Sequence, residues 1–173
     1  AYVTSISGLP VPPEQLVSYI YEPAVSPHLA AQLEKRPVDM KKIQSDFHHI
    51  ATQFDVVVAE GSGGIICPLR MDSSPIMLTD VIQTLHLPIL IVAHAGLGTI
   101  NSTVLTAAYA KQHNITVNGI ILNQYDSNNL MHRDNKKQIE HLTGIPVVAC
   151  VKSNETELSV SAELLLHLCN DIS

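Results

Sequence analysis

Four short runs of consecutive apolar residues constrain this chain most: Phe54–Ala59, Leu87–Ala93, Asn118–Leu122 and Pro146–Cys150. Their apolar residues follow one another without alternating, a pattern that suits strands covered on both faces. Between the runs lie segments with helical spacing. Asp39 is placed to cap a helix whose apolar positions Met40, Ile43, Phe47, Ile50 and Ala51 recur at steps of three and four. Further helices are predicted over 77–86, 99–111 and 158–169, the last with Leu164, Leu165 and Leu168 on its apolar side, and a polar loop and helix together fill 126–142. Strand and helix alternate at the spacing of βαβ units, which predicts an α/β fold with a mostly parallel sheet flanked by helices and right-handed crossovers. Residues 1–38 read differently, because Pro10, Pro12, Pro13, Pro23, Pro27 and Pro37 divide them into short pieces. Short helices are expected to start at Pro13 and Pro27, each with proline in the first turn.

Length and composition bound the rest. A chain of 173 residues with 46% apolar and 15% charged residues is enough for one domain with a closed core. Ten Lys and Arg against 16 Asp and Glu leave a net charge of −6. No basic cluster exceeds the pairs Lys41-Lys42 and Lys136-Lys137, which argues against a grip on a nucleic acid backbone. The longest apolar runs fall far short of the ~20 residues that span a bilayer, and no charged-then-apolar leader is written at the start. Cys67, Cys150 and Cys169 are far apart and form no C-x-x-C. The expected class is a soluble, cytoplasmic α/β domain with no membrane or nucleic acid partner.

In an open parallel sheet, ligands bind beyond the carboxyl ends of the strands. Four polar clusters are predicted there. Glu60-Gly61-Ser62-Gly63-Gly64 follows the first strand. Its carboxylate suits Mg²⁺, a hard cation that prefers oxygen, and its glycines let backbone N–H groups approach phosphate oxygens; the plain alternative is a turn with a solvated glutamate. Gly96-Leu97-Gly98-Thr99-Ile100-Asn101 follows the second strand and opens a helix whose N-terminal N–H groups face any anion present. An ordinary glycine-assisted helix start has the same spacing. Asn123-Gln124 after the third strand offers amides for a planar base edge or for a turn. Lys152-Ser153-Asn154-Glu155 after the fourth is polar without a specific signature. The nine histidines include no H-E-x-x-H and no i,i+4 pair, so they read as surface or satisfied core residues. Cys67 lies three residues beyond the glycine loop, with no identifiable base to make it a nucleophile.

Together these residues resemble the dethiobiotin synthetase family. The resemblance rests on Glu22-Pro23-Ala24-Val25-Ser26-Pro27-His28-Leu29-Ala30-Ala31, on Val58-Ala59-Glu60-Gly61-Ser62-Gly63-Gly64 with Pro68-Leu69 after it, on Gly96–Asn101, and on Asn123 at a strand end. It runs from residue 1 almost to the C-terminus. It implies a P-loop NTPase-like fold and a homodimer. The implied activity is ATP- and Mg²⁺-dependent: CO₂ (or bicarbonate) carboxylates 7,8-diaminopelargonate, ATP phosphorylates the carbamate, and the second amine displaces phosphate to close the ureido ring of dethiobiotin. Under the resemblance, Glu60 is the Mg²⁺-binding carboxylate, and Gly61, Ser62 and Gly63 lie beside the ATP phosphates. Asn123 and Gln124 contact adenine, and Lys152, Ser153 and Asn154 lie in the adenine loop. Gly98, Thr99, Ile100 and Asn101 receive the carboxylate tail of diaminopelargonate across the dimer interface.

Two departures accompany the resemblance. None of the eight glycines is followed by Lys, so G-x-x-x-x-G-K-[ST] is absent from these 173 residues. With it go the family's catalytic lysine and an early metal-binding aspartate. The stretch matched by Ala1 falls just after that aspartate, so the chain is expected to be a single dethiobiotin synthetase-like domain truncated at its N-terminus. The other departure is Val151-Lys152-Ser153, where the family usually carries a proline. In the family's sheet the P-loop strand separates the strand ending at Glu60 from the strand ending at Ala93. Strands pack ~4.8 Å apart, so its absence predicts unpaired backbone, an unstable isolated chain and no turnover. The other readings are a related P-loop amidoligase or partitioning-type ATPase, and a non-catalytic binding domain that has lost its P-loop.

Overall fold

The computed structural model describes residues 6, 8–9 and 11–169, so the first five residues of the family resemblance lie outside it. The chain forms two compact units, Ala1–Leu85 and His86–Ser173.

The second unit carries the sheet. Strands β3 (Ile89–His94), β4 (Val117–Asn123) and β5 (Val147–Val151) pair in parallel in the order β3-β4-β5. These are the second, third and fourth apolar runs, each within about two residues of its expected bounds. The register sets Ile91 beside Ile120, His94 beside Asn123, and Asn123 beside Val151. Helix α4 (Thr99–Gln112) and helix α5 (Leu130–Thr143) make the two crossovers. Ile120, Leu122 and Ile139 are fully enclosed and pack with Ile91, Ala95, Ala107 and Val147. Gly119 is required for packing: a Cβ there would lie 2.7 Å from Val148 Cγ1. Gly144 ends α5 in the left-handed conformation at φ 68°.

The 126–142 segment divides into the expected polar loop and helix, with α5 starting at Leu130. Asp126 folds the intervening residues into a turn, its side chain accepting from Asn128 N and its carbonyl from Asn129 N. Asn129 then caps the helix through Met131 N and His132 N. The last helix, α6 (Ala162–Cys169), begins later than residue 158, with Ser161 Oγ accepting from Leu164 N. Leu168 is buried, but Leu165 is exposed, so the apolar side is narrower than predicted. Asn118 donates to the Leu168 carbonyl at 2.8 Å and ties this helix to the foot of β4.

The first unit is built from shorter pieces. A 3₁₀ turn (Pro13–Gln15) and helix α1 (Pro27–Leu33) start at the expected prolines. Helix α2 (Met40–Ala51) is capped by Asp39, which accepts from Lys41 N at 2.9 Å. Strands β1 (Pro68–Arg70) and β2 (Ile76–Met77) form a small antiparallel pair, and helix α3 (Leu78–Thr84) follows. Val38, Cys67 and Leu69 make the core, with Tyr19, Ile43, Ile76, Leu78 and Val81 packed on it.

One expected strand does not form. Residues 54–59 are irregular, and Val58 is 82% exposed. A consecutive β-branched run gains from an extended conformation only where neighbouring strands satisfy its N–H and C=O groups. Among the described residues nothing offers that ladder, so solvent takes its place. Glu60 therefore does not terminate a strand in this structure. In the other unit, β3 pairs among the described residues with β4 alone, and its Val92 is 65% exposed. No helix among the described residues is long and apolar enough to cross a membrane.

Candidate functional site at the strand ends

Parallel pairing in register brings the carboxyl ends of β3, β4 and β5 together in the second unit. The loop after β3 is tied to β4 where Ala95 N donates to the Asn123 carbonyl at 2.9 Å. The loop after β4 is tied to β5 where Tyr125 N donates to the Val151 carbonyl at 2.8 Å. The candidate residues at 98–101, 123–124 and 152–154 therefore occupy one end of one sheet. That juxtaposition follows from topology and register.

Within this cluster the side chains divide by role. Asn123, the last residue of β4, and Gln124 after it are exposed. Asn123 Oδ1 accepts from Gln124 N at 2.9 Å, and Gln124 sits at φ 56°, so the amide pair forms a tight corner. Gln124 Oε1 lies 2.6 Å from His94 Nε2. His94 Nδ1 in turn accepts from Gly96 N at 2.9 Å. The ring keeps this place only because residue 96 is glycine, since a Cβ there would stand 2.7 Å from His94 Cε1 and push the imidazole aside.

The helix start is also built from backbone. Gly98 occupies the N-cap of α4 at φ 89°. Thr99 is buried, with its hydroxyl 3.4 Å from that of Thr103, and Ile100 packs on the core. Thr99 N already donates to the Gly96 carbonyl at 3.3 Å, so Ile100 offers a main-chain N–H group and Asn101 an exposed side chain. Leu97 is 93% exposed between the two glycines. The arrangement suits an anion, because the first-turn N–H groups of a helix have no partners within it. Beyond β5, Glu155 Oε2 accepts from Lys152 N at 2.8 Å and closes the 152–155 turn, with Asn154 at φ 63°.

Two residues of this end are not among those singled out from the sequence. His94 is the last residue of β3, and the strand-end rule alone points to it. Asn135 is harder to see. It lies on α5, is 6% exposed, and donates through Nδ2 to the carbonyls of Ala95 (2.9 Å) and Gly96 (3.1 Å). Its amide satisfies two carbonyls that the glycine turn leaves without ladder partners. Nothing in the helical spacing marks it, because its burial depends on how α5 packs.

Glu60, Gly61, Ser62 and Gly63 belong to the first unit and form an exposed loop. A Cβ at Gly61 would lie 2.7 Å from Leu78 Cδ2 and would have to displace the end of that side chain, while Gly63 is needed for its φ of 81°. Leu78 itself is held at the start of α3, where its N donates to the Cys67 carbonyl at 2.8 Å. The Glu60 carboxylate makes no hydrogen bond or ion pair within the described residues. That fits a role beside Mg²⁺, which is usually held by one or two carboxylates with phosphate oxygens and water completing the shell. No group of three or more His, Cys, Asp or Glu among the described residues is placed to hold a metal ion by itself. Burial raises the thiol pKa of Cys67 and of Cys150, which keeps both protonated and weakly nucleophilic near neutral pH. A groove of about 630 Å³ lies at the opposite, amino end of β4, lined by Val104, Lys111, Thr116, Leu142 and Ile145 among others. It contains none of the candidate residues.

Known proteins align with this picture. Residues 1–159 match the family described as an AAA domain. Together with the parallel sheet and its strand-end loops, that match defines an α/β nucleotide-binding domain of the P-loop NTPase-like class. The chain is 50% identical over 149 residues to the ATP-dependent dethiobiotin synthetase BioD of Clostridium botulinum (strain Alaska E43 / Type E3), covering 86% of this chain and 66% of the relative. It is 45% identical over 171 residues to the protein of the same name in Clostridium botulinum (strain 657 / Type Ba4), covering 99% and 75%. The namesake in Brachyspira hyodysenteriae is 50% identical over 139 residues, covering 80% and 63%. The chain belongs to the ATP-dependent dethiobiotin synthetase family, and it spans about two thirds to three quarters of the length of these relatives.

Proposed function

We propose that the full-length protein is a cytoplasmic, homodimeric ligase that forms dethiobiotin from 7,8-diaminopelargonate, CO₂ and ATP in biotin biosynthesis. The observation that carries this reading is the registered pairing of β3 with β4, which sets an anion-ready helix start beside a pair of exposed amides. In the proposed roles, Asn123 and Gln124 meet the adenine edge, with the 152–154 turn lining the same pocket. The backbone of Gly98–Ile100 and the side chain of Asn101 receive the carboxylate tail of the diamine from the partner subunit. Glu60 holds Mg²⁺, with Gly61, Ser62 and Gly63 against the phosphates. The metal, when bound, neutralises charge on the transferring phosphoryl group. The chain's own residues orient the nucleotide and the diamine so that the carbamate oxygen and the γ-phosphorus are held in line; positioning and electrostatics supply most of the catalysis in such transfers. The phosphate-cradling G-x-x-x-x-G-K-[ST] is not among these 173 residues, so the activity is assigned to the full-length protein.

The test is to incubate the full-length protein with 7,8-diaminopelargonate, MgATP and bicarbonate. Dethiobiotin is expected, with none formed when ATP or the diamine is omitted. A folded, nucleotide-binding protein that makes no dethiobiotin under these conditions would refute the assignment.

A further inference from the structure

The hydrogen bonds around His94 have a defined direction. A backbone N–H is only a donor, so Gly96 N, 2.9 Å from His94 Nδ1, requires that nitrogen to be the acceptor. In the neutral ring the proton then sits on Nε2. Nε2–H points at Gln124 Oε1 at 2.6 Å and donates to it. The Gln124 amide is thereby fixed with its oxygen inward and its NH₂ outward. Gly96 lacks the Cβ that would collide with the ring, so the imidazole has room to lie over the loop and make both bonds.

We infer that His94 is a positioning residue for nucleotide selection: it locks Gln124 so that only N–H donors face the ligand. The matching chemical group is an acceptor, a ring nitrogen of a purine base. This inference rests on the proposal that Asn123 and Gln124 meet the base. It adds a residue outside that contact and a polarity that the contact alone does not set. Without His94, the Gln124 amide is free to turn its oxygen toward the base, where it repels a ring nitrogen.

Two substitutions separate the halves of the relay. His94→Asn keeps an acceptor near the position of Nδ1 for Gly96 but does not reach Gln124. His94→Gln carries an N–H to the position of Nε2 and keeps the bond to Gln124. In the full-length protein, His94→Asn is expected to raise the KM for ATP about five- to tenfold, the worth of one positioned hydrogen bond. The kcat and the KM for 7,8-diaminopelargonate should stay within about twofold. His94→Gln should keep the KM for ATP within about twofold of wild type. Gln124→Ala should raise that KM as much as His94→Asn, and the double variant should add nothing further, since the two residues act through one contact.

A raised KM in Gln124→Ala with an unchanged KM in His94→Asn would overturn the relay while leaving the base site intact. Equal losses of kcat and thermal stability in His94→Asn and His94→Gln would make the ring merely structural and also overturn it. If neither Gln124→Ala nor Asn123→Ala alters the KM for ATP, the base-site reading itself fails, and the relay fails with it.

Discussion

Replacing Glu60 with Gln in the full-length protein should lower kcat/KM for MgATP by about a hundredfold or more while leaving 7,8-diaminopelargonate binding within about threefold. The substitution preserves size and removes one formal charge. Glu60 is exposed and without partners among the described residues, so no buried network depends on it. The thermal midpoint should therefore stay close to wild type. A bound Mg²⁺ contributes several kcal/mol to charge stabilisation during phosphoryl transfer, and a neutral amide in place of the carboxylate holds that ion less well. Raising the Mg²⁺ concentration should recover part of the loss, because the defect lies in holding the metal. Comparable losses toward the diamine and the nucleotide, unaffected by Mg²⁺, would remove the metal role.

The second large effect concerns residues 54–59. In a polypeptide of these 173 residues, the amides of Val56, Val57 and Val58 are expected to exchange with solvent at nearly unprotected rates, because no ladder holds them. In the full-length protein with bound nucleotide, the same amides should slow by about a thousandfold or more as the run pairs on both sides and buries its valines. The open edge of β3, with Val92 exposed, should gain protection in parallel. The same 173-residue polypeptide should melt broadly and show no ATP turnover. Fast exchange at 56–58 in the complete, liganded protein would mean that this run is a surface loop and that the carboxylate after it is not positioned by a sheet.

These two predictions mark where sequence and structure part. The β3–β5 half was legible because each strand finds its partners within the chain, so local pattern and tertiary pairing agree. The loops that follow those strands were legible for the same reason: once order and direction are set, the strand ends must gather. The Phe54–Ala59 run has an equally clear strand signature. Its conformation depends on neighbours that the described residues do not supply, and pattern alone does not reveal that dependence. The β1–β2 pair was missed because segments of three and two residues are too short to display a period. Where the polar loop of 126–142 gives way to helix is set by Asp126 and Asn129, which favour a turn and a cap over helix interior.

The site shows a similar division. Glycines at 61, 63, 96 and 98 signalled backbone approach, and each has a reason in a close contact or a positive φ. His94 and Asn135 act by holding other groups in place. Their importance arises from bonds to residues 30 and 40 positions away, which no local spacing encodes. Thr99 was legible as part of the helix start, but its side chain is buried and its N–H donates to the Gly96 carbonyl.

The most direct measurement follows the carbon atom. The full-length protein is supplied with 7,8-diaminopelargonate, MgATP and ¹³C-labelled bicarbonate, and product and phosphate are quantified together. The expected result is dethiobiotin carrying the label at its ureido carbonyl, with phosphate released in equal molar amount. Phosphate released without labelled ring product, or ring product formed without ATP cleavage, would contradict the account.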